Sequence, residues 1–322
     1  VKALVQDRYG PLEDVLEVRE VDRPTIADDE VLVRVRAASI HIGDVFGMRG
    51  VPYLFRPMYG LRRPKVRIPG TDVAGTVEAV GRDVAQLQPG DEVFGWCTGG
   101  FAEYASAPAA QFVPKPASLT FEEAATVGVS AATALLAMRD HGKVQPGQKV
   151  LINGASGGVG SFAVQIAKAL GAEVTGVCST RNVEMLRSIG ADHVIDYTTT
   201  DFTKAEERYD LILDNVGNHS FADTRRALTP AGTLLSNGAP VDGWVGGVSH
   251  VIAAMLLSLF VRQQGRPFVQ LPNRGELVTL SELAEAGKVR PVIDRSLPLS
   301  QGVQAVTHVA EGHARGTTII TM

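Results

Sequence analysis

The stretch Val150-Leu151-Ile152-Asn153-Gly154-Ala155-Ser156-Gly157-Gly158-Val159-Gly160 decides how this chain reads. An apolar run enters a glycine-rich turn, and Ser161 to Leu170 then carries a helical pattern that Gly171 stops. Strand, turn and helix follow one another. Small residues let such a backbone approach a pyrophosphate, and the free amides at the helix start meet its charge. A second strand, Glu173 to Cys178, follows where a βαβ unit requires it. Val159, Ala163 and Ile166 form the helix face that packs on the sheet. Gly154, Ala155, Ser156, Gly157, Gly158, Val159 and Gly160 are therefore the expected dinucleotide-binding residues. Their fingerprint, Ala155-x-Gly157-x-x-Gly160, has alanine at the first glycine position.

The tip of the second strand selects the cofactor. It reads Cys178-Ser179-Thr180-Arg181, with none of the carboxylate that would bind a ribose diol. A carboxylate there repels a 2'-phosphate, whereas a hydroxyl and a guanidinium receive it. Ser179 and Arg181 are the expected phosphate clamp and NADPH the expected cofactor.

Length and composition bound the rest. A chain of 322 residues accommodates two substantial domains, and 45% hydrophobic with 20% charged residues is ordinary for a soluble protein. The formal charge of -4 is spread with mixed signs, which argues against nucleic acid as the main ligand. Two cysteines, Cys97 and Cys178, make neither a disulfide framework nor a cysteine-rich metal lobe. With no secretory or transit pattern at the start, the expected location is cytoplasmic.

Before the turn, many short alternating runs punctuated by glycine and proline predict a barrel-like β domain. They are Lys2 to Gln6, Leu16 to Val21, Glu30 to Ala37, Ile68 to Gly81, Leu87 to Val93 and Gly99 to Ala105. Asp44 to Arg67, rich in aromatic and basic residues, is expected to be a long loop forming part of a substrate wall. Thr120 and Glu123 predict a capped helix running to about Arg139. After the turn, helix Val183 to Ile189 and strands Ala191 to Asp196, Tyr209 to Asp214 and Thr233 to Gly238 continue a mostly parallel sheet. Thr224 to Leu228 is expected to be helical and Pro230-Ala231-Gly232 to be a turn. The apolar run Val251 to Val261 is too interrupted for a membrane span and predicts a buried or dimer-contacting helix. The terminal strands Val292 to Leu297 and Thr317 to Thr321 are expected to return to the first domain.

The chain resembles the zinc-independent quinone oxidoreductase branch of the medium-chain dehydrogenase/reductase superfamily. The resemblance is carried by Ala38-Ser39-Ile40-His41-Ile42-Gly43-Asp44, Ile68 to Gly75, Gly99 to Tyr104, the Gly154–Gly160 turn and Ser188 to Tyr197. It implies an α/β fold: a GroES-like catalytic domain from residues 1–121 and 267–322, and a Rossmann NADPH-binding domain from 122–266. Zinc-containing relatives carry a cysteine near His41 and a Gly-His-Glu motif where this chain has Gly70-Thr71-Asp72. The ligating cysteine and histidine are missing, so no metal is expected. The branch usually has asparagine at His41.

By correspondence with the family, Thr133 lies beside the nicotinamide and Tyr197 near the adenosine phosphate. Gly217, Asn237 and Gly238 surround the cofactor, and Arg315 belongs to the last cofactor-side loop. The implied activity is NADPH-dependent reduction of quinones or electron-poor α,β-unsaturated carbonyls. His41, Tyr53 and Tyr59 are candidate substrate-side groups, none of them singled out as the acid, and a homodimer is implied. Three other readings stay open: an enoyl-thioester reductase with Arg62, Arg63, Lys65 and Arg67 facing a coenzyme A phosphate, a zinc-independent alcohol/carbonyl oxidoreductase, and an NADPH-responsive binding protein with little turnover.

Overall fold

The computed structural model describes residues 1–238, 264–267, 273–312 and 315–322. The chain divides into two compact units. One comprises Val1–Ala132, Pro272–Gly287 and Pro291–Met322; the other comprises Thr133–Leu271 and Lys288–Arg290. The run Val251 to Val261 lies outside the described residues.

The first unit is built around β3 (Glu30–Ile40), whose eleven residues keep Val31, Val33 and Val35 buried while Arg34 and Arg36 face water. Such a strand has two edges to satisfy. Along one runs β4 (Asp72–Val80), antiparallel and bulged between Leu32 and Val33 and again between Val35 and Ala37. The other edge is shared: β6 (Tyr104–Pro108) pairs with the first half of β3, and the C-terminal β15 (Thr317–Thr321) with the second half. Two bulges in one ladder, the extra residue being Glu78 in β4 and Arg36 in β3, increase the twist and curve the sheet. The sheet continues through β5 (Glu92–Trp96) and β7 (Phe112–Pro114) on one side and β14 (Ile293–Pro298) on the other. β1 (Lys2–Gln6) and β2 (Leu16–Glu20) form a separate antiparallel ribbon, with the short helix α1 (Leu12–Val15) in the connection between them. The tail therefore does return to the first unit, and α9 (Gly302–Ala310) buries Ala305, Val306 and Val309 in the same core as Val33, Phe101 and Ile320.

Three expectations need correction here. Asp44 to Arg67 is not one long loop: much of it folds as α2 (Ile42–Arg49), a 3-10 turn at Tyr53–Phe55 and α3 (Arg56–Tyr59), and residues 60–67 are irregular. Gly50 in the left-handed region, at φ 61°, closes α2 and lets the chain reverse. The helix capped by Thr120 is interrupted. α4 (Phe121–Ala125) and α5 (Ala132–Leu135) are separated by a π-helical stretch, Val127–Ala131, and a second one, Leu136–His141, follows. Pro230-Ala231-Gly232 is no turn but the bulge of one strand, β12 (Leu228–Ser236). Its partner advances from Tyr209 to Leu211 while β12 advances from Leu228 to Thr233, which absorbs the proline without ending the strand. The preceding helix is α8 (Phe221–Thr224), continued as a 3-10 turn to Ala227.

The second unit holds a parallel sheet in the order β10-β9-β8-β11-β12-β13. Its strands are β8 (Lys149–Asn153), β9 (Glu173–Cys178), β10 (His193–Asp196), β11 (Tyr209–Asp214), β12 and β13 (Gln264–Pro267). Taken in chain order, the arrangement is 3-2-1-4-5-6, which reverses direction between β8 and β11. Crossover helices α6 (Gly158–Ala169) and α7 (Val183–Ser188) connect the first half. Gln165 of α6 is buried and exchanges two hydrogen bonds with the main chain of Arg290, at 2.9 and 2.8 Å, fastening the returning segment to this unit.

Ile320 is fully buried where β15 joins the core of the first unit. Ile320→Ala should lower the free energy of unfolding by about 2–5 kcal/mol, read by urea denaturation, because the residual cavity adds to the lost transfer energy.

Candidate functional site

The nucleotide turn is shaped by contact between backbones. Gly154 leaves β8 at φ 73°. A Cβ on Gly160 would lie 2.2 Å from the Gly154 carbonyl oxygen and 2.7 Å from Ala155 Cα, so only glycine fits where the helix crosses its own entry strand. Gly157 differs: a Cβ there meets only Gly154 O, at 3.6 Å, and otherwise points into open space. Gly157 is the N-cap of α6, so the amides of Gly158, Val159 and Gly160 open the helix without intrahelical acceptors. This donor set, at the reversal point of the sheet, fits a pyrophosphate.

The carboxyl ends of β8, β11 and β12 are tied together by Asp214, which sequence reading missed. Its Oδ1 accepts from Asn153 Nδ2 at 2.9 Å and from the amides of Val216 and Gly217 at 3.0 and 2.9 Å. Its carbonyl accepts from the amides of Asn237 and Gly238, both at 2.9 Å. Asn237 spends its side chain on Asn215 Oδ1, at 2.8 Å, and a Cβ on Gly238 would sit 2.2 Å from the Asn215 backbone. A carboxylate ending a buried strand was the available signal, because such a group demands donors.

At the tip of β9, Ser179 precedes a 3-10 turn holding Thr180 and Arg181. Thr180 donates to Asp196 Oδ2 at 2.6 Å, and Thr198 donates its hydroxyl and amide to Asp196 Oδ1 at 2.7 and 2.9 Å. These donors hold the Asp196 carboxyl below the usual range. Asp196 thus holds the turn that carries Ser179 and Arg181, a role the sequence reading did not weigh. Tyr197 is 61% exposed, and Thr133 is buried in α5.

The first unit contains a separate polar cluster. His41 caps α2, and Asp44 Oδ2 accepts its amide at 3.1 Å while lying 3.4 Å from His41 Nε2. Thr71 donates to Asp44 Oδ1 at 2.9 Å. Asp72, with no exposure, accepts the Val129 amide through Oδ2 at 2.7 Å. Burial pushes its carboxyl up to about 7, against the opposing pull of His41 and the Val129 amide. Burial likewise drives the Cys97 thiol far above its usual range, so it stays protonated. No three histidine, cysteine, aspartate or glutamate side chains among the described residues are grouped to hold a metal ion. Arg56 stacks over both Tyr53 and Tyr9, each 4.6 Å from the ring centre. Burial raises the Tyr59 phenol, keeping it neutral. Arg315 lies just before β15, and the two residues preceding it fall outside the described ones.

Comparison with known proteins gives the family. Residues 27–117 match the alcohol dehydrogenase GroES-like domain, and residues 189–320 match the zinc-binding dehydrogenase model. The chain is 34% identical to the mitochondrial NAD(P)H oxidoreductase RTN4IP1 of Mus musculus, covering 99% of this chain and 89% of that protein. It is 31% identical to the chloroplastic quinone-oxidoreductase homolog of Spinacia oleracea, covering 99% and 97%. The quinone oxidoreductase structure from Coxiella burnetii superposes with a TM-score of 0.88 at 27% identity, covering 100% and 99%. The expected cytoplasmic location is overturned by these relatives, whose names place them in mitochondria and chloroplasts. No helix among the described residues is long and apolar enough to cross a membrane.

Two glycine variants separate folding from binding. Gly157→Ala should leave Tm within about 1 °C and, if the turn receives the pyrophosphate, weaken NADPH binding about tenfold or more, since its methyl enters open space and meets no protein atom closer than 3.6 Å. Gly160→Ala should lose about 2 kcal/mol or more of stability, because backbone must move. Thermal melts beside calorimetric titration distinguish them.

Proposed function

The chain belongs to the zinc-independent quinone oxidoreductase branch of the medium-chain dehydrogenase/reductase superfamily, and from that premise we propose that it reduces quinones and electron-poor α,β-unsaturated carbonyls with NADPH. The observation that supports this most directly is the glycine cradle at the carboxyl end of β8, open at Gly157 and closed at Gly160. In this reading Gly154, Ala155, Ser156, Gly157, Gly158, Val159 and Gly160 receive the pyrophosphate, and Ser179 with Arg181 the 2'-phosphate. Thr133, Tyr197, Gly217, Asn237, Gly238 and Arg315 complete the cofactor's surroundings. NADPH bound there supplies the hydride equivalent that reduces the acceptor.

The chain's own residues set what the acceptor must be. Thr71, not histidine, follows Gly70, and its hydroxyl is committed to Asp44. With no ligating cysteine at His41 either, the chain lacks the groups with which zinc relatives polarise a carbonyl. The acceptor therefore has to delocalise incoming charge itself, as quinones and enones do. His41, Tyr53 and Tyr59 are the acceptor-side groups able to donate a hydrogen bond, none of them singled out as the acid; orientation by such donors, with water kept out, lowers the barrier. The domain roles follow: residues 1–121 with 267–322 serve the acceptor, 122–266 the cofactor, in a homodimer. Exposed Arg62 and Arg63 favour one second reading, an enoyl-thioester substrate whose distant phosphate they meet.

NADPH oxidation against matched quinones, enones, aldehydes and enoyl-CoA esters tests the assignment, with turnover expected for the first two classes; no oxidation with any of them defeats it. Arg181→Ala should raise the Kd for NADPH about tenfold and leave that for NADH nearly unchanged, the difference a lost charge-assisted contact produces.

A further inference from the structure

Asp72 occupies the last position of the motif that zinc relatives use near their metal, yet here its carboxylate is turned to another task. It is fully buried and opposite Ser39 across the β3–β4 pair. Its Oδ2 takes the Val129 amide at 2.7 Å. Its carboxyl leaves no room for a side chain at Gly128: a Cβ there would lie 2.5 Å from Oδ1 and 2.6 Å from the carboxyl carbon. Both Gly128 and Val129 belong to the π-helical stretch Val127–Ala131, from which the chain passes through Ala132 into Thr133. A π turn leaves the ordinary helix ladder, and such turns recur at functional sites. At this one the carboxylate takes up an amide of the widened turn.

We propose that Asp72 is a proton-sensitive latch on this π turn, a positioning residue that fixes the backbone leading to Thr133 and so tunes NADPH binding. This rests on the reading of Thr133 as a nicotinamide contact. An ionised carboxylate holds an amide more strongly than a neutral acid does. Deprotonation therefore tightens the latch and protonation slackens it. The titratable groups facing Asp72 are His41, whose charge favours the ionised form, and Asp44, which opposes it; the Cys97 thiol also lies in its field. Burial places the change near neutral pH, at about 7. The carboxyl is raised in the folded state, so its contribution to overall stability is present at low pH and is lost as pH rises through that value. One hydrogen bond tightens while the fold as a whole loses stability.

Asp72→Asn keeps an acceptor for Val129 and removes the titration. In the wild type, the Kd for NADPH should fall about three- to tenfold from pH 5.5 to 8.5 relative to Asp72→Asn, the linkage expected when one state binds better. Titration of the cofactor's own phosphate is common to both proteins and cancels in that ratio. The Val129 amide, followed by 15N NMR without cofactor, should shift with a midpoint near 7 in the wild type and stay flat in the variant. Parallel Kd profiles, or a flat Val129 amide in the wild type, overturn the latch. Flattening by His41→Asn but not by Asp72→Asn overturns it too, making His41 the sensor. If no NADPH binds at any pH while the amide still titrates, the latch stands as a local device and the cofactor reading fails.

Discussion

A single steric constraint organises the second unit: the backbone of Gly160 lies against the carbonyl of Gly154 with no room for a methyl group. That contact brings the first turn of α6 over the end of β8 and aims its unpaired amides beyond the sheet. It falls beside the strand at which the sheet order reverses, where no neighbouring crossover covers the carboxyl ends. Gly157, one turn earlier, keeps that space open. The Asp214 network then fixes the loops that follow β8, β11 and β12 relative to one another, replacing mobile side chains with a preorganised rim.

The first unit solves a different problem. Its central strand must satisfy two edges along eleven residues, and it does so by dividing one edge between β6 and the returning C-terminal strand. The division places Ser39, His41 and the start of α2 at the end of β3, beside Asp72 at the start of β4. Buried polar groups in such a corner are held only by specific partners. Asp44 gathers Thr71 and the His41 amide, while Asp72 gathers the π turn. The cluster retains the acidic character of a metal-site motif without its ligating cysteine and histidine.

Much of this was legible in the sequence because the signals are local. The strand–turn–helix at Val150–Gly171, the Thr120–Glu123 capping box and the strands Tyr209–Asp214 and Thr317–Thr321 each depend on residues within one turn or one strand. Readings failed where local rules compete. Proline and glycine at 230–232 signal a turn, but pairing with β11 continues on both sides and a bulge costs less than ending the strand. The alanine-rich run after Thr120 is helical by propensity, yet the approach of Asp72 to Gly128 and Val129 accompanies a π stretch that no periodicity announces.

The sequence by itself determined the class of fold, the glycine turn and the absence of the zinc relatives' ligating cysteine and histidine, because these depend on residue identity at positions close along the chain. Only the tertiary structure decided that Asp214 ties three strand ends, that Asp196 attends Thr180, and that Asp72 reaches a turn 57 positions away. The physical reason is that a buried carboxylate is defined by its donors, and those donors come from segments brought together only when the sheets form.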